Sequence, residues 1–491
     1  MAKKELGLAG AMKTTMVWAR NAQVAAFWVL VVLCVSPLIA TANLTVGSFT
    51  QPLFIFALLD AYHLHFALNM GLGMLAIVVL AVWASSLCFE LGIRRAFKEL
   101  FKNKWAPLLL ASVFWLSVST LINCSSPEAA FMGDEYRLEG IFSLLAYMGF
   151  TACALIVDHK RKRALLLAFW AVSAIMGVLY LVQIAGIGML ANLNDNGFCV
   201  IFGNINHHAY YVAMGLMAAA GLFVYEKRIV LRVASAAAVV FLSVCLIVNG
   251  SFGPFLASAF ALVFLAVIVL IRDGKGKLVA LVPLALFLCV SLVNVAGFNY
   301  KAALSGIAQS TPSQEEVVVP ESEPESPADA SSTTGSNFST LIQDIQMILS
   351  GDVDAGRAGS GRMALYIASG QLIAESPLFG YGMEQGGPLL DERAGIGIDR
   401  AHNEILQWGI YGGVPAMLLY VAGLAMLAVR QLRRLRQLDP LTVIAIACCA
   451  EYLCSSLFGV VMITTAPYFW MFVGFAAALP KEACAAEECG H

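Results

Sequence analysis

Residues 233–271, VASAAAVVFLSVCLIVNGSFGPFLASAFALVFLAVIVLI, decide the fold. The stretch carries no charged side chain and divides at Asn249-Gly250-Ser251 into two apolar runs, 233–250 and 254–271. Each run approaches the roughly 20 residues that an α-helix needs to cross a bilayer. In lipid the backbone must satisfy its own hydrogen bonds, so a pair of membrane helices is expected here. The pattern repeats outward in both directions, with further apolar runs at 22–42, 67–91, 105–122, 139–157, 164–186, 209–225, 278–298, 408–429, 441–460 and 464–480. Composition agrees: 60% of the 491 residues are hydrophobic, 13% are charged, and mean hydropathy is +0.79. A soluble protein carries about 25% charged residues. The expected fold is an all-α polytopic membrane protein of about twelve transmembrane helices, with one large exterior loop carrying short helices. A soluble class is excluded.

Charge sorting orients the spans. A basic cluster of Arg94, Arg95, Lys98, Lys102 and Lys104 follows the second span, and similar clusters recur at Lys160-Arg161-Lys162-Arg163 and at Arg430, Arg433, Arg434 and Arg436. With the N-terminus inside, all but six of the 30 Lys and Arg residues fall on cytoplasmic segments, as positive residues do in membrane proteins. The first span follows Lys3, Lys4, Lys13 and Arg20, is too long for a signal-peptide core, and is read as an uncleaved helix. Both termini are therefore expected in the cytoplasm.

One connection departs from the short loops elsewhere. Residues 299–340 include TPSQEEVVVPESEPESPADASSTTGS, with the Pro, Glu and Ser content of a disordered acidic linker. Residues 341–407 read as an exterior helical cap holding the candidate active site. Leu341, Ile342, Ile345, Ile348 and Leu349 recur at helical spacing, and Ser360 can cap a helix running to about Glu375, where Pro377 stops it. The predicted organisation is thus transmembrane helices 1–9 in residues 1–298, the linker, the cap, transmembrane helices 10–12 in residues 408–480, and a cytoplasmic tail at 481–491.

The six exterior cations are Arg137, Lys301, Arg357, Arg362, Arg393 and Arg400. Arg362 stands at the start of the capped helix, where free N–H groups and the helix dipole favour an anion. Arg400 lies two residues from His402 in Asp399-Arg400-Ala401-His402-Asn403-Glu404, just before the tenth span. An arginine there can grip phosphate, and a histidine can move a proton near neutral pH. The plainer role for such arginines is pairing with Asp391, Glu392, Asp399 or Glu404, or with lipid headgroups. His207 and His208 are expected to close an exterior loop, and His63 and His65 to sit at the membrane interface. Glu451, mid-span, is read equally as a functional or a helix-pairing group. The twelve cysteines lie mostly within spans as small packing residues, and a pairing of Cys124 with Cys199 stays open. Asp352-Val353-Asp354 reads as loop chemistry, and Cys484, Cys489 and His491 are a weak metal signal, so no metal or cofactor is expected.

Taken together, GSGRMALYIASGQLIAESPLFGYG at 359–382 and DRAHNEILQWGIYGGVPAMLLY at 399–420 resemble the O-antigen ligase and polymerase family of bacterial envelope enzymes. The matching features are Arg362, Pro377-Leu378-Phe379-Gly380-Tyr381-Gly382, His402-Asn403, Leu406-Gln407 and Gly413. Phe202-Gly203-Asn204-Ile205-Asn206-His207 is similar to the family's Gly-x-Asn-Pro-Asn turn, with isoleucine for proline, and Glu451 through Trp470 to its last two spans. Two positions depart: Ser251-Phe252-Gly253 stands where many relatives have Ser-Arg-Gly, and Ala416 replaces a glycine of Gly-x-x-Gly. That family arginine is thought to hold the donor's diphosphate. Its loss leaves the task to Arg137, Arg357 or Arg393, or means that the donor is held differently.

The resemblance implies transfer or polymerisation of a glycan from an undecaprenyl-diphosphate carrier onto an acceptor hydroxyl, in building cell-envelope polysaccharide. The acceptor would be a glycan, a lipid or another envelope component. The site would face outward from a bacterial cytoplasmic (inner) membrane, with membrane lipids and no nucleic acid as further partners. His402, Arg362 and Arg400 are the candidate catalytic residues. Arg137, Arg357, Arg393, Asn206, His207, Asn403 and Gln407 are candidate substrate-binding residues. Two alternatives differ in kind: a flippase or other transporter of lipid-linked glycans, which would show repeats, broken helices and mid-membrane charges, and an inactive relative that only binds glycan.

Overall fold

The computed structural model describes residues 2–41, 61–101, 103–133, 139–187, 201–309, 362–395, 397–398, 400–460 and 462–478. Among these, every regular element is helical. The N-terminal part forms α1 (Ala2–Thr41), α2 (Ala61–Leu91), the short basic α3 (Ile93–Leu100) and α4 (Trp105–Asn123). The Ser126 hydroxyl caps α5 (Pro127–Met132), which precedes α6 (Ile141–Ile156) and α7 (His159–Ile184). Then come α8 (Ile205–Tyr225), α9 (Ile229–Asn249), α10 (Phe252–Asp273), α11 (Val282–Val295) and α12 (Tyr300–Gln309). The C-terminal part contributes α13 (Arg362–Glu375), α14 (Gly387–Ala394), α15 (Glu404–Arg433), α16 (Pro440–Ser456) and α17 (Ala466–Ala477). The opening stretch of sequence folds as expected: Gly250 ends α9 in the left-handed conformation (φ 80°), and α10 begins two residues later.

Nine helices among the described residues are long and apolar enough to cross a membrane, and α6, α16 and α17 are shorter apolar helices packed with them. At 1.5 Å per residue, the 12 residues of α17 rise about 18 Å, against a hydrocarbon core of about 30 Å. All of α17 is buried by other helices, so it faces protein and needs no match to lipid. With α8, which is buried for 89% of its apolar window, α17 and α16 form the centre of the bundle. Small residues let these helices approach closely. A Cβ on Gly221 of α8 would lie 2.4 Å from Ile444 of α16, and one on Gly474 of α17 would lie 2.5 Å from Ala154 of α6.

Burial corrects the interfacial expectation for His65. His65 is fully enclosed, with its ring nitrogens against the Ile201 carbonyl (2.8 Å) and the Tyr468 hydroxyl (3.3 Å). His207 and His208 lie in the first turn of α8 and are also buried, the latter against the Asn249 amide (3.1 Å). Glu451 is fully buried, where the Ser455 hydroxyl donates to its carboxylate at 2.6 Å.

The expected span 408–429 is not one helix. Gly413 adopts φ 69°, ψ −172° inside α15, and the segments on either side fold against each other. Tyr420 donates to Glu404 at 2.5 Å, and the Trp408 and Tyr420 rings stack at 4.3 Å. In a straight helix Glu404 and Tyr420 would be roughly 24 Å apart. The break frees backbone groups, and neighbouring chain satisfies them. Tyr381 and Gly382 donate their N–H groups to the Ile410 and Tyr411 carbonyls at 2.8 Å each. Val414 donates to the Pro377 carbonyl (2.8 Å), and the Trp115 indole of α4 reaches both Leu378 (3.0 Å) and Gly412 (3.1 Å). The Ser119 hydroxyl faces the Tyr411 and Phe379 carbonyls. Trp115 also stacks on Phe379 at 5.1 Å. The 377–382 turn is therefore a plug that closes the broken helix, and Gly380 (φ 62°) has no room for a side chain, since a Cβ would meet the Ile410 carbonyl at 2.3 Å.

Candidate functional site

The plug anchors the C-terminal end of α13, which runs to Glu375 as expected before Pro377 stops it. Leu365, Ala368, Ser369, Leu372 and Ile373 make its buried face, at the spacing of an amphipathic helix resting on α15. Its N-terminal turn carries Arg362, half-buried, and Tyr366 one turn later. The Tyr366 hydroxyl donates to the Leu457 carbonyl (3.0 Å) and lies 3.5 Å from the His402 carbonyl. Burial raises the Tyr366 hydroxyl's pKa, against the opposing pull of the Arg362 charge and a hydrogen bond with Asn403.

The turn before α15 is held from several directions. Asn403 caps the helix, its side-chain oxygen accepting from the Leu406 N–H at 3.1 Å, while its amide donates to the Leu457 carbonyl at 3.2 Å. Gln407 reaches back to accept the Ala401 N–H at 2.8 Å. Between them His402 takes a left-handed backbone, φ 47°. The Leu457 carbonyl thus binds the start of α13 and the histidine turn together. Beyond it, Gly459 lies under Tyr210 of α8, whose hydroxyl donates to the Ser455 carbonyl at 3.1 Å. The His207 ring packs on Tyr210 at 5.5 Å, and the Arg362 charge acts on Tyr210 as well as Tyr366. Gly253, next to Phe252 in the departing Ser-Phe-Gly, packs against Phe458. Tyr366, Asn403 and Tyr210 therefore converge on one turn, residues 455–459, which brings the start of α13, the His402 backbone and the first turn of α8 to the same place.

Arg400 occupies different ground. It is 1% exposed, ion-paired with Glu384, 3.7 Å from Glu139, and 5.5 Å above the Tyr411 ring. Its guanidinium lines a cavity of about 30 Å³ with Glu139, Tyr147, Glu404, Gln407, Tyr411 and Trp470, enough for one or two waters. Tyr147 donates to Glu139 at 2.6 Å.

The remaining candidates are dispersed. Arg393 of α14 makes a two-bond pair with Glu375 (2.5 and 2.6 Å) on the surface, and this pairing holds the Glu375 carboxyl below its ordinary range. Asn206 is partly exposed in the first turn of α8. Arg137 and Arg357 lie outside the described residues, as do Cys199, the 341–349 pattern, Ser360, Asp352, Asp354 and the C-terminal tail. Reading the sequence missed Glu384, Tyr210, Tyr366 and the Leu457 carbonyl. Their partners are remote in the chain, and a backbone carbonyl leaves no residue signature.

The helices and the gathered polar turn define a class: an all-α polytopic membrane protein with a polar site at one end of its bundle. Residues 236–421 match the family model described as O-antigen ligase, a stretch that includes Arg362, the plug, His402 and Gly413. Over that stretch the chain is similar to the O-antigen ligase family, which supports a role as a membrane glycan ligase or polymerase. Comparison with curated proteins and with solved structures gives no match.

Proposed function

We propose that the protein transfers a glycan from an undecaprenyl-diphosphate carrier to an acceptor hydroxyl, with His402 as general base and Arg362 holding the donor's diphosphate. The observation that carries this reading is the shared Leu457 anchor, which brings the start of α13 to the His402 turn through Tyr366 and Asn403. In the reaction the acceptor oxygen attacks the anomeric carbon, the bond from that carbon to the diphosphate oxygen breaks, and its electron pair leaves on the diphosphate. His402 takes the hydroxyl proton, a contribution of roughly 10²–10⁴ in rate for a positioned base. The charge growing on the leaving diphosphate needs a fixed cation, and Arg362 supplies one beside a helix N-terminus. Among the described residues no carboxylate pairs with it. This leaves its charge available to the leaving diphosphate and supports charge neutralisation by arginine. Arg137 and Arg357 are the proposed sources of a second phosphate contact, with His207, Asn206, Asn403 and Gln407 around the glycan.

The sorting of Lys and Arg supports an inner-membrane topology with both termini cytoplasmic, which puts this site outside, where carrier-linked glycans are used. The acidic linker and the α13–α14 region together would form the tether and the cap. Purified protein given an undecaprenyl-diphosphate oligosaccharide and an acceptor should release undecaprenyl diphosphate and extend or attach glycan. Full activity in both His402→Ala and Arg362→Ala would sink the proposed site. Arg137→Ala and Arg357→Ala should each raise the donor KM.

The break at Gly413 favours transport as a second reading, because transporters bind cargo at broken helices. Here, however, the N–H groups of the plug and the side chains of α4 occupy the freed carbonyls, so the break offers little backbone to a cargo. Movement of a fluorescent lipid-linked glycan across vesicles containing the protein, without glycan transfer, would support the transport reading instead.

A further inference from the structure

We infer that Glu384 and Arg400 form a positioning pair for the His402 turn, and that Arg400 acts through that turn rather than on the substrate. This rests on the reading of His402 given above. The side chains of both partners are almost wholly enclosed, 2% exposed for Arg400 and 4% for Glu384, so the guanidinium faces carboxylates and the Tyr411 ring instead of an open surface. Tyr411 also reaches Glu384 through its hydroxyl at 3.4 Å. Glu384 and His402 are the two non-glycine residues with left-handed backbone among the described residues, φ 61° and 47°. That conformation is disfavoured for a side-chain-bearing residue and persists where surroundings over-determine it. The strained residues sit at the two ends of one linkage: Glu384 is two residues after the plug, and Arg400 is two residues before His402. The plug, fixed on the broken helix, therefore sets Glu384. Glu384 sets Arg400, and Arg400 with the Gln407–Ala401 bond sets the backbone from which the His402 ring projects.

Hydrogen–deuterium exchange on the full-length protein in detergent reads the turn directly. The amides of 400–407 should exchange about tenfold faster or more in Glu384→Gln and in Arg400→Gln than in the wild type, and at the wild-type rate in the control Glu392→Gln. Unchanged exchange in Glu384→Gln would overturn the inference. If Arg400→Gln fails to fold, Glu384→Gln, which keeps the side chain's shape, decides alone. Kinetics with an undecaprenyl-diphosphate oligosaccharide give the second readout. Both variants should lose about 10²-fold in kcat with little change in donor KM, and the loss should shrink on the residual turnover of a His402→Ala background. A raised donor KM with kcat retained would place Arg400 on the substrate and overturn the inference. Full activity of His402→Ala alone would remove the proposed chemistry, while the exchange result would still decide whether the pair holds the turn.

Discussion

At Glu139, the Tyr147 hydroxyl donates at 2.6 Å and the Arg400 guanidinium lies 3.7 Å away, so the carboxyl is enclosed but not alone. Asn403→Ala removes a helix cap and one of the two donors to Leu457, so it should cost about 1 kcal/mol of stability and lower turnover as well. The sequence shows Arg400 and His402 as neighbours, the arginine suited to grip phosphate and the histidine to move a proton. It cannot show that Arg400 turns inward, because that depends on Glu139 and Glu384 arriving from other parts of the chain. The helix that Arg362 opens was readable because its signals are local, an apolar face at helical spacing and a proline stop.

The 377–382 plug and the two segments of α15 behave as one element. Gly413→Ala would put a Cβ 2.6 Å from the Pro377 carbonyl, on a backbone that only glycine adopts readily. It should cost more than the roughly 1–2 kcal/mol of left-handed strain alone and reduce activity by displacing the His402 turn. Trp115→Phe keeps the stack on Phe379 but leaves two carbonyls without their donor. A loss of about 1–3 kcal/mol in unfolding free energy is expected. Hydropathy missed this break for a physical reason. The residues from Trp408 through Leu419 remain largely apolar on both sides of Gly413, and an average over apolarity carries no information about one φ angle. The plug's Pro-Leu-Phe-Gly-Tyr-Gly was visible as a motif, but its partners, the carbonyls of 410–412, were not.

Across the whole molecule, the order of helices was readable because a bilayer leaves few ways to satisfy an apolar backbone. The expected runs and the observed helices coincide along most of the chain. They part where protein replaces lipid as the surroundings: α17 can be short because it touches only other helices. Replacing Gly221 with valine should separate α8 from α16, with loss of folded protein on size-exclusion chromatography, since a Cβ there already meets Ile444 at 2.4 Å. The closed break at Gly413 also limits how such proteins can be recombined. A chimera that exchanges only the loop between relatives would bring foreign donors to native acceptors and leave buried carbonyls orphaned. One that exchanges the loop with the following helix and α4 carries the lock and its key together. The loop, the following helix and α4 are therefore one structural unit, and an exchange between relatives should give folded protein on size-exclusion chromatography only when all three travel together.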